Sequence, residues 1–447
     1  MISARGRHAP LAWIGAAVVF TLLLMLLDAG YVRTIESSRR DAGFPVRLGM
    51  IEMQLEGATE PGMPPAQAWA SAGWRPSALP LALGWRRDRV WVKTTLVNTS
   101  SLPQEVRMEI SPARITHARL YSRDLRGDWS RQDTGAALRT ADRPVDRSEL
   151  LFPLTLAPGE HRPVMLAVWS EVTTLNFGIA VFPEKAYSAI ASRTMVVDAA
   201  LAGGLLVLAL MSLALGTAMR ELALLVLTAR ILVVAFWQLQ QQGITALVLP
   251  ASAVQALANR ADLLASATLF LTMAFFWAFL RHGHPPRWAR NALAAMVVAS
   301  LLPTLLQEAG LVTRQTFPYL IAAMSLAGLT LAGAVSVIVL FRNFTPAFAV
   351  LVGVLIGLAV NTPLYTLMLG WSSGGVVRYF VSPLPSLATS ILMFVGATLH
   401  LARERSQSSQ RALAVSNPSI PISGGASGSP GRMPVASAPS GPGTRMS

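Results

Sequence analysis

A single charged residue interrupts an apolar stretch in the middle of this 447-residue chain. Arg230 follows Leu-Leu-Val-Leu at 224–227 and precedes Ile-Leu-Val-Val at 231–234. On a helix it lies roughly 12 Å from the inner end, where a charge costs at least about 2.5 kcal/mol in a bilayer. Two interpretations follow. Arg230 faces the bundle interior as a switch residue that is bonded differently in two helix arrangements, or its long side chain extends to the inner interface.

Asp198 and two histidines are further candidates for chemistry. Asp198 lies about one turn inside the first apolar segment, and it is either a second switch residue or a helix-end charge in headgroup water. His282 and His284 flank a glycine with no acidic residue nearby, which makes a weak metal site, so no metal is predicted. Because the chain has no cysteine and no evident acid–base pair, we predict neither a cofactor nor an enzymatic activity.

Four tryptophans outside the apolar segments are candidate ligand-binding residues: Trp74, Trp85, Trp129 and Trp169. An exposed indole ring would stack on the face of a sugar, whereas a buried ring would fill the core of its domain. Trp129 follows Gly127-Asp128 at a predicted turn, so we expect it to be the most exposed of the four.

Small and basic residues suggest where helices and partners meet. Gly353 and Gly357 form a Gly-x-x-x-Gly pair, which lets helices approach closely within the chain or in a homodimer. Five arginines at the predicted inner ends are candidate contacts for a cytoplasmic partner: Arg281, Arg287, Arg290, Arg403 and Arg405.

Composition indicates that a lipid bilayer surrounds the elements that carry these residues. Hydrophobic residues make up 53% of the chain and charged residues only 13%, against about 25% charged in a soluble domain. The formal charge is +14, but the arginines are scattered between apolar runs and form no patch. We therefore predict a membrane protein that does not bind nucleic acid.

The N-terminal part of the chain is typical of an exported domain. Residues 1–30 place Arg5 and Arg7 before an apolar run, as in a signal peptide or an uncleaved membrane anchor. Within residues 31–190, apolar side chains alternate with polar ones between tight turns, for instance at Val90, Val92 and Leu96. This pattern predicts antiparallel strands packed as an all-β sandwich.

The rest of the chain predicts a seven-helix transmembrane domain, 191–403, and a tail, 404–447. Seven apolar stretches are each near the length that a bilayer requires, at residues 195–217, 222–241, 263–280, 292–307, 317–341, 346–369 and 381–401. Arginine is more frequent in alternate loops, which places the sandwich outside and the C-terminus inside. The tail begins with a short helical stub and is then rich in Ser, Pro, Gly and Ala, so it is expected to be disordered.

Several stretches of the sandwich resemble a known family. These are Val90-Trp91-Val92-Lys93-Thr94-Thr95-Leu96-Val97-Asn98, Ala118-Arg119-Leu120-Tyr121, Gly127-Asp128-Trp129 with Thr134-Gly135, and Phe152-Pro153-Leu154 with Leu156-Ala157-Pro158-Gly159-Glu160. Their order before seven helices is similar to the bacterial seven-transmembrane receptors with diverse intracellular signalling modules (7TMR-DISM), with the second type of extracellular region. The resemblance implies a jelly-roll-like sandwich, similar to carbohydrate-binding modules, that acts as a sensor.

The resemblance also implies a cytoplasmic output module after the last helix, but the tail carries no catalytic motif. We therefore expect a receptor in the bacterial inner membrane, with a periplasmic sensor and a cytoplasmic C-terminus. It would bind a small-molecule or carbohydrate-like ligand and signal to a separate protein such as a histidine kinase or a diguanylate cyclase. The alternative is a transporter or transport accessory protein, which should show broken helices and paired intramembrane charges.

Overall fold

The described part of the computed structural model comprises residues 44–56, 64–86, 88–170, 174–368 and 384–416. The predicted export segment at residues 1–30 and the predicted disordered tail beyond residue 416 lie outside these ranges. Within them, an all-β region is followed by long apolar helices, as the sequence predicts.

Two antiparallel sheets form the β region. One contains β1, β2, β3, β5, β7, β8 and β10, and the other contains β4, β6, β9 and β11. The strands are β1 (Val46–Leu48), β2 (Glu52–Glu56), β3 (Arg75–Pro76), β4 (Leu81–Ala82), β5 (Arg89–Asn98), β6 (Gln104–Ser111), β7 (His117–Arg123), β8 (Trp129–Thr134), β9 (Leu150–Leu156), β10 (His161–Trp169) and β11 (Asn176–Pro183). From β8 to β11 the chain alternates between the two sheets. A short helix, α1 (Pro65–Ala70), follows β2.

The alternation along β5 determines which residues form the core between the sheets. Val90, Val92 and Leu96 are buried against Met108 of β6 and Phe152 of β9, which belong to the facing sheet. Full burial of a large apolar side chain contributes about 1.5–3 kcal/mol, so this two-sided packing holds the sheets together. The predicted sandwich is therefore confirmed.

The remaining elements are helices. They are α2 (Glu184–Met219), α3 (Leu222–Gln241), α4 (Thr245–Val248), α5 (Ala251–Asn259), α6 (Ala261–Leu280), α7 (Arg287–Ala299), α8 (Leu302–Glu308), α9 (Phe317–Phe341), α10 (Ala347–Met368) and α11 (Leu384–Ser416). Among the described residues, six helical segments are long and apolar enough to cross a membrane, and 347–362 of α10 is a shorter apolar helix. These seven coincide with the seven predicted segments.

The fourth of these segments differs in detail from its prediction. Helix α7 already begins at Arg287, so Arg287 and Arg290 lie in the first turns of a helix rather than in a loop. Pro286 is the N-cap residue, and its ψ of 152° keeps the chain extended immediately before the helix. The segment is also interrupted near Pro303, because α7 ends at Ala299 and α8 begins at Leu302.

The sandwich and the first long helix are directly joined. Strand β11 ends at Pro183 and α2 begins at Glu184, with no intervening loop. Tyr187 on the first turn of α2 packs with Leu151 of β9 and Phe182 of β11, and Glu184 forms an ion pair with Arg107 of β6. A movement of this sheet would therefore be transmitted to α2.

Gly353 and Gly357 on α10 pack against helices of the same chain. A Cβ atom on Gly353 would lie 3.5 Å from Leu392 Cβ of α11, and one on Gly357 would lie 3.7 Å from the methyl groups of Leu329 on α9. Both distances are ordinary van der Waals contacts, so each glycine faces a neighbouring helix with room for a Cβ atom, and the role of the pair in close helix packing or in a homodimer stays a prediction.

Candidate ligand site

A cavity of about 340 Å³ lies between the sandwich and the outer half of the helical domain. Trp85, Arg114 and Thr174 line it from the sandwich, and side chains of α3, α6, α9, α10 and α11 line it from the helices. Its volume is at the lower end of the range for small-molecule sites, which are typically about 300–1,000 Å³.

Arg114 connects the two parts of the protein at the cavity. Its Nη1 donates to Oε1 of Gln241, the last residue of α3, at 3.2 Å, and its Nη2 donates to Oγ1 of Thr174 at 3.2 Å. Desolvation by the surrounding protein lowers the pKa of Arg114 to about 10. The guanidinium is therefore still charged at neutral pH, although burial disfavours its charged form.

Arg230 approaches the same cavity from within the bundle. The side chain is only 7% exposed, its Nε donates to Thr272 Oγ1 of α6 at 2.9 Å, and its Nη1 donates to Ser390 Oγ of α11 at 2.9 Å. Arg230 thus faces the bundle interior and does not extend to the inner interface. Both of these partners are neutral hydroxyl groups, which leave the charge uncompensated.

The charge around the cavity is predominantly positive. Its lining includes Arg114, Arg230 and Arg314, whereas Asp262 is the acidic residue among the lining side chains, and Asp262 accepts a hydrogen bond from Gln307. In the part of the chain that the structure describes, no carboxylate lies within 4.0 Å of the Arg114 or Arg230 guanidinium.

Two residues that line the cavity each carry a buried donor without a partner. Among the described residues, neither Arg114 Nε nor Trp85 Nε1 has a hydrogen-bond partner. A buried donor without a partner costs about 1–3 kcal/mol, which a ligand with acceptor oxygens would recover. Arg143, another enclosed arginine of the sandwich, differs because its Nε, Nη1 and Nη2 all donate hydrogen bonds. Their acceptors are the carbonyls of Leu138, Arg147 and Ser148.

The four candidate tryptophans do not form one site. Trp74, Trp129 and Trp169 lie on the outer face of the larger sheet, where they pack around buried Trp91 and Tyr121. Trp85 is separate from that cluster and lines the cavity. Trp129, expected to be the most exposed, is half-buried like the other three.

Neighbouring side chains occupy several ring faces of this outer cluster. His117 stacks on Trp169 with ring centroids 4.9 Å apart, and the Arg89 guanidinium lies 4.7 Å from the centroid of Trp169. Lys93 Nζ lies 4.6 Å from the centroid of Trp74. These contacts stabilise the sheet surface and reduce the open ring area on which a sugar would stack.

The remaining candidate residues lie away from the cavity. Asp198 is half-buried on α2. Arg281 stacks on Trp277 at 5.4 Å, whereas Arg287 and Arg290 are exposed on α7 beside Trp288, whose side chain is 60% exposed. On the last helix, Arg403 is half-buried and Arg405 is exposed.

The expectation that the histidine pair lacks an acidic neighbour is wrong for His282. Its Nε2 lies 3.2 Å from Glu221 Oε1, a residue 61 positions earlier in the chain, and His400 is also adjacent. Sequence reasoning missed Glu221 and His400 here, and Arg114 at the cavity, because these contacts depend on how distant segments pack.

Comparison with known proteins identifies both parts of the chain. The family model described as 7TMR-DISM extracellular 2 matches residues 54–182, and the model described as 7TM diverse intracellular signalling matches residues 194–399. Together they cover most of the sandwich, without β1, and most of the seven apolar helices. A search of curated proteins found no match.

Proposed function

The chain belongs to the 7TMR-DISM family of seven-transmembrane receptors, and on that premise we propose that it detects a small anionic ligand in the cavity between sandwich and helices. The observation that carries this proposal is the presence of two arginines at the cavity, Arg114 and Arg230, with no carboxylate of the described residues within 4.0 Å of either guanidinium. The protein is a multi-pass membrane protein with an extracellular N-terminal domain. The proposal adds the class of ligand, its site and the route of the signal.

The ligand class follows from charge. Placing a cation in an enclosed site is costly unless an anion accompanies it, and guanidinium groups bind carboxylate and phosphate oxygens through paired hydrogen bonds. Arg114 Nε and Trp85 Nε1 are N–H donors suited to such oxygens. A sugar acid combines this anionic group with the carbohydrate character that the resemblance to sugar-binding modules implies.

The signal would begin with contacts that the ligand makes to both parts of the protein at once. Arg114 belongs to the loop after β6 and already bonds to Gln241 of α3. Arg230 joins α3 to α6 and α11 through two hydroxyl groups. An anion that competes for these donors would change the hydrogen bonds among three helices. A preference of a few kcal/mol for one arrangement is enough to shift a two-state equilibrium.

The signal would leave through the inner ends of the helices. Arg287 and Arg290 are exposed on the first turns of α7 around Trp288, and arginine and aromatic residues are enriched at protein interfaces. We propose that this surface, with Arg403 and Arg405 on α11, contacts a separate cytoplasmic signalling protein such as a histidine kinase or a diguanylate cyclase. The membrane would then be the bacterial inner membrane.

The transporter alternative has less support. Family membership points to signalling, and within the described residues of the bundle the deep charge is Arg230, without an acidic partner of the kind that coupled transport uses. The alternative predicts net uptake of the ligand by vesicles that contain only this protein.

The proposed ligand site is tested by thermal unfolding of the purified full-length protein with matched probes. Glucuronate and glucose share a sugar ring but differ in the carboxylate, and succinate, citrate and inorganic phosphate extend the anionic set. We expect at least one anion to raise the unfolding temperature and glucose to have no effect. At a ligand concentration of 100 times Kd, binding stabilises the folded state by about 2.7 kcal/mol.

Substitutions assign the effect to the cavity. Arg114→Gln and Arg230→Gln should each weaken binding of the active anion by at least about 10-fold, since each removes a charged hydrogen bond worth about 1.5–3 kcal/mol. Arg126→Gln is the matched control, because Arg126 is exposed at the turn after β7. The proposal fails if none of the anions stabilises the protein, or if Arg126→Gln weakens binding as much as the cavity variants do.

A further inference from the structure

Three potential metal ligands from distant parts of the sequence meet at the inner end of the helices. Glu221 lies between α2 and α3, His282 lies in the single turn Arg281–Gly283 after α6, and His400 lies on α11. Their ligand atoms all lie within 4.8 Å of one another. The cluster lies at the opposite end of the bundle from the ligand cavity.

The surrounding protein holds these side chains in place. Glu221 Oε1 accepts a hydrogen bond from the backbone N–H of Ala223 at the start of α3. The turn that carries His282 is closely packed, because a Cβ atom on Gly283 would lie 2.7 Å from Val339 Cβ. His400 is 5% exposed and packs edge-on against the rings of Phe279 and Phe344.

The chemistry of the cluster suits a transition metal ion. The His282 and His400 rings lie with their centroids 4.2 Å apart, so two imidazole groups are close enough to share one ion. A neutral imidazole keeps a lone pair for a metal, and two imidazoles with one carboxylate form a common zinc ligand set. Mg²⁺ and Ca²⁺ are disfavoured because they prefer sites made entirely of oxygen.

The dimensions of the cluster are also compatible with a shared ion. Ligand atoms about 2.0–2.2 Å from a tetrahedral zinc ion lie about 3.4 Å from each other. Glu221 Oε1 and His282 Nε2 are 3.2 Å apart, and small side-chain rotations would bring His400 into the same shell. The side chains of Glu221 and His282 are 12% and 20% exposed, which leaves access for the ion and a water molecule.

We propose that Glu221, His282 and His400 bind a divalent transition metal ion of the Zn²⁺ class, with water as a fourth ligand. The bound ion ties the start of α3, the end of α6 and the inner part of α11 together. It therefore favours one arrangement of the inner helix ends, and metal availability regulates the receptor at a site separate from its ligand cavity. The site is independent of the proposed anionic ligand.

The test measures metal binding by the purified full-length protein without a histidine tag, after treatment with a chelator. Zn²⁺ is titrated against a coloured chelating dye, and Co²⁺ is titrated separately because tetrahedral Co²⁺ absorbs visible light. We expect one strong site per chain. His282→Ala, His400→Ala and Glu221→Gln should each weaken binding by at least about 10-fold, since even residues that only support metal ligands have effects of this size.

Two further variants separate ligation from folding. His284→Asn is the matched control, because His284 is an exposed neighbour of His282 with φ +49° and asparagine tolerates that conformation; it should bind metal as the native chain does. His282→Cys should restore strong binding and add thiolate-to-Co²⁺ absorption. The proposal is overturned if the native protein binds no metal strongly, or if His284→Asn loses binding to the same extent as His282→Ala while both remain folded. It is also overturned if His282→Cys fails to restore binding although folded.

Discussion

The guanidinium of Arg230 donates a hydrogen bond of 2.9 Å to the hydroxyl of Ser390, a residue 160 positions later in the chain. With the bond to Thr272, it joins the second, third and seventh apolar segments in the interior of the bundle. Neither hydroxyl balances the charge. Arg230 therefore gives the helices a polar connection at the expense of stability. An anionic ligand would bind to this unbalanced charge.

The first prediction concerns the substitution Arg230→Met. Replacing a buried charge by an apolar side chain of similar length is often neutral or stabilising, so the ligand-free protein should unfold at the same or a higher temperature. The stabilisation by the active anion should be lost. Thermal unfolding in detergent, with and without the anion, measures both effects.

The matched control for this substitution is Arg126→Met in the exposed turn after β7. It should change neither the unfolding temperature of the ligand-free protein nor the stabilisation by the anion. A large fall in the unfolding temperature of ligand-free Arg230→Met would contradict the account. It would mean that Arg230 stabilises the bundle through its two hydrogen bonds. The buried arginine would then have a structural role that requires no anionic ligand.

The second prediction concerns the pH dependence of ligand binding through Arg114. Desolvation lowers its pKa from its ordinary value to about 10, so the stability linked to this group is fully present above that ordinary value and is lost as the pH falls through about 10. At pH 6–9 Arg114 is charged throughout. The affinity for a carboxylate that is ionised over this range should therefore be constant between pH 6 and pH 9.

Titration calorimetry at several pH values, at constant ionic strength, provides the measurement. The Arg114→Gln variant should bind more weakly by the same factor at every pH in this range. An affinity of the native protein that falls severalfold between pH 6 and pH 7.5 would implicate a histidine in binding and would contradict the assignment to arginines.

The third prediction concerns the junction at Pro183 and Glu184. Because β11 continues directly into α2 and Glu184 pairs with Arg107, inserting Gly-Gly between Pro183 and Glu184 should uncouple the sandwich from the helix. The sandwich and the bundle should both remain folded, by circular dichroism and gel filtration. Crosslinking of a cytoplasmic partner should no longer respond to ligand.

An insertion of Gly-Gly after Leu125 serves as the control, because Leu125 lies in an exposed turn away from the helices. It should leave the response intact. A ligand response that survives the junction insertion would show that the signal passes through the cavity contacts of Arg114 and Arg230 and does not need the junction.

The sequence was informative wherever one local pattern determined the structure. Alternation at Val90, Val92 and Leu96 predicted the inner face of β5 because side chains on a strand point alternately to its two faces. The apolar segments were long enough to predict all seven helices. The charge at Arg230 was recognised because a bilayer makes an isolated arginine costly at that depth.

The sequence was uninformative where contacts join distant segments. Arg114 lies in a loop between two strands, and nothing around it indicates that it will meet Gln241. Likewise, His282 has no acidic neighbour along the chain, yet helix packing brings Glu221 and His400 to it. Such clusters depend on which helix ends become neighbours, and periodicity does not encode this information.

The fourth prediction concerns membrane topology. The native chain has no cysteine, so Ser130→Cys on β8 and Ser408→Cys on α11 each introduce a single reactive thiol. In intact cells an impermeant maleimide should label Ser130→Cys and not Ser408→Cys, and permeabilisation should expose both. Labelling of Ser408→Cys in intact cells would place the C-terminal end of α11 outside and would refute the orientation.

The most direct test of the central claim is whether an anion in the outer cavity moves the inner helix ends. Spin labels at Ala218→Cys, near the end of α2, and Arg290→Cys, on α7, would report the distance between two exposed inner positions. The account predicts that the anion active in thermal unfolding shifts the measured distance distribution, and that Arg230→Met removes the shift. A distribution unchanged by saturating anion in the native background, or a shift that persists in Arg230→Met, would contradict it.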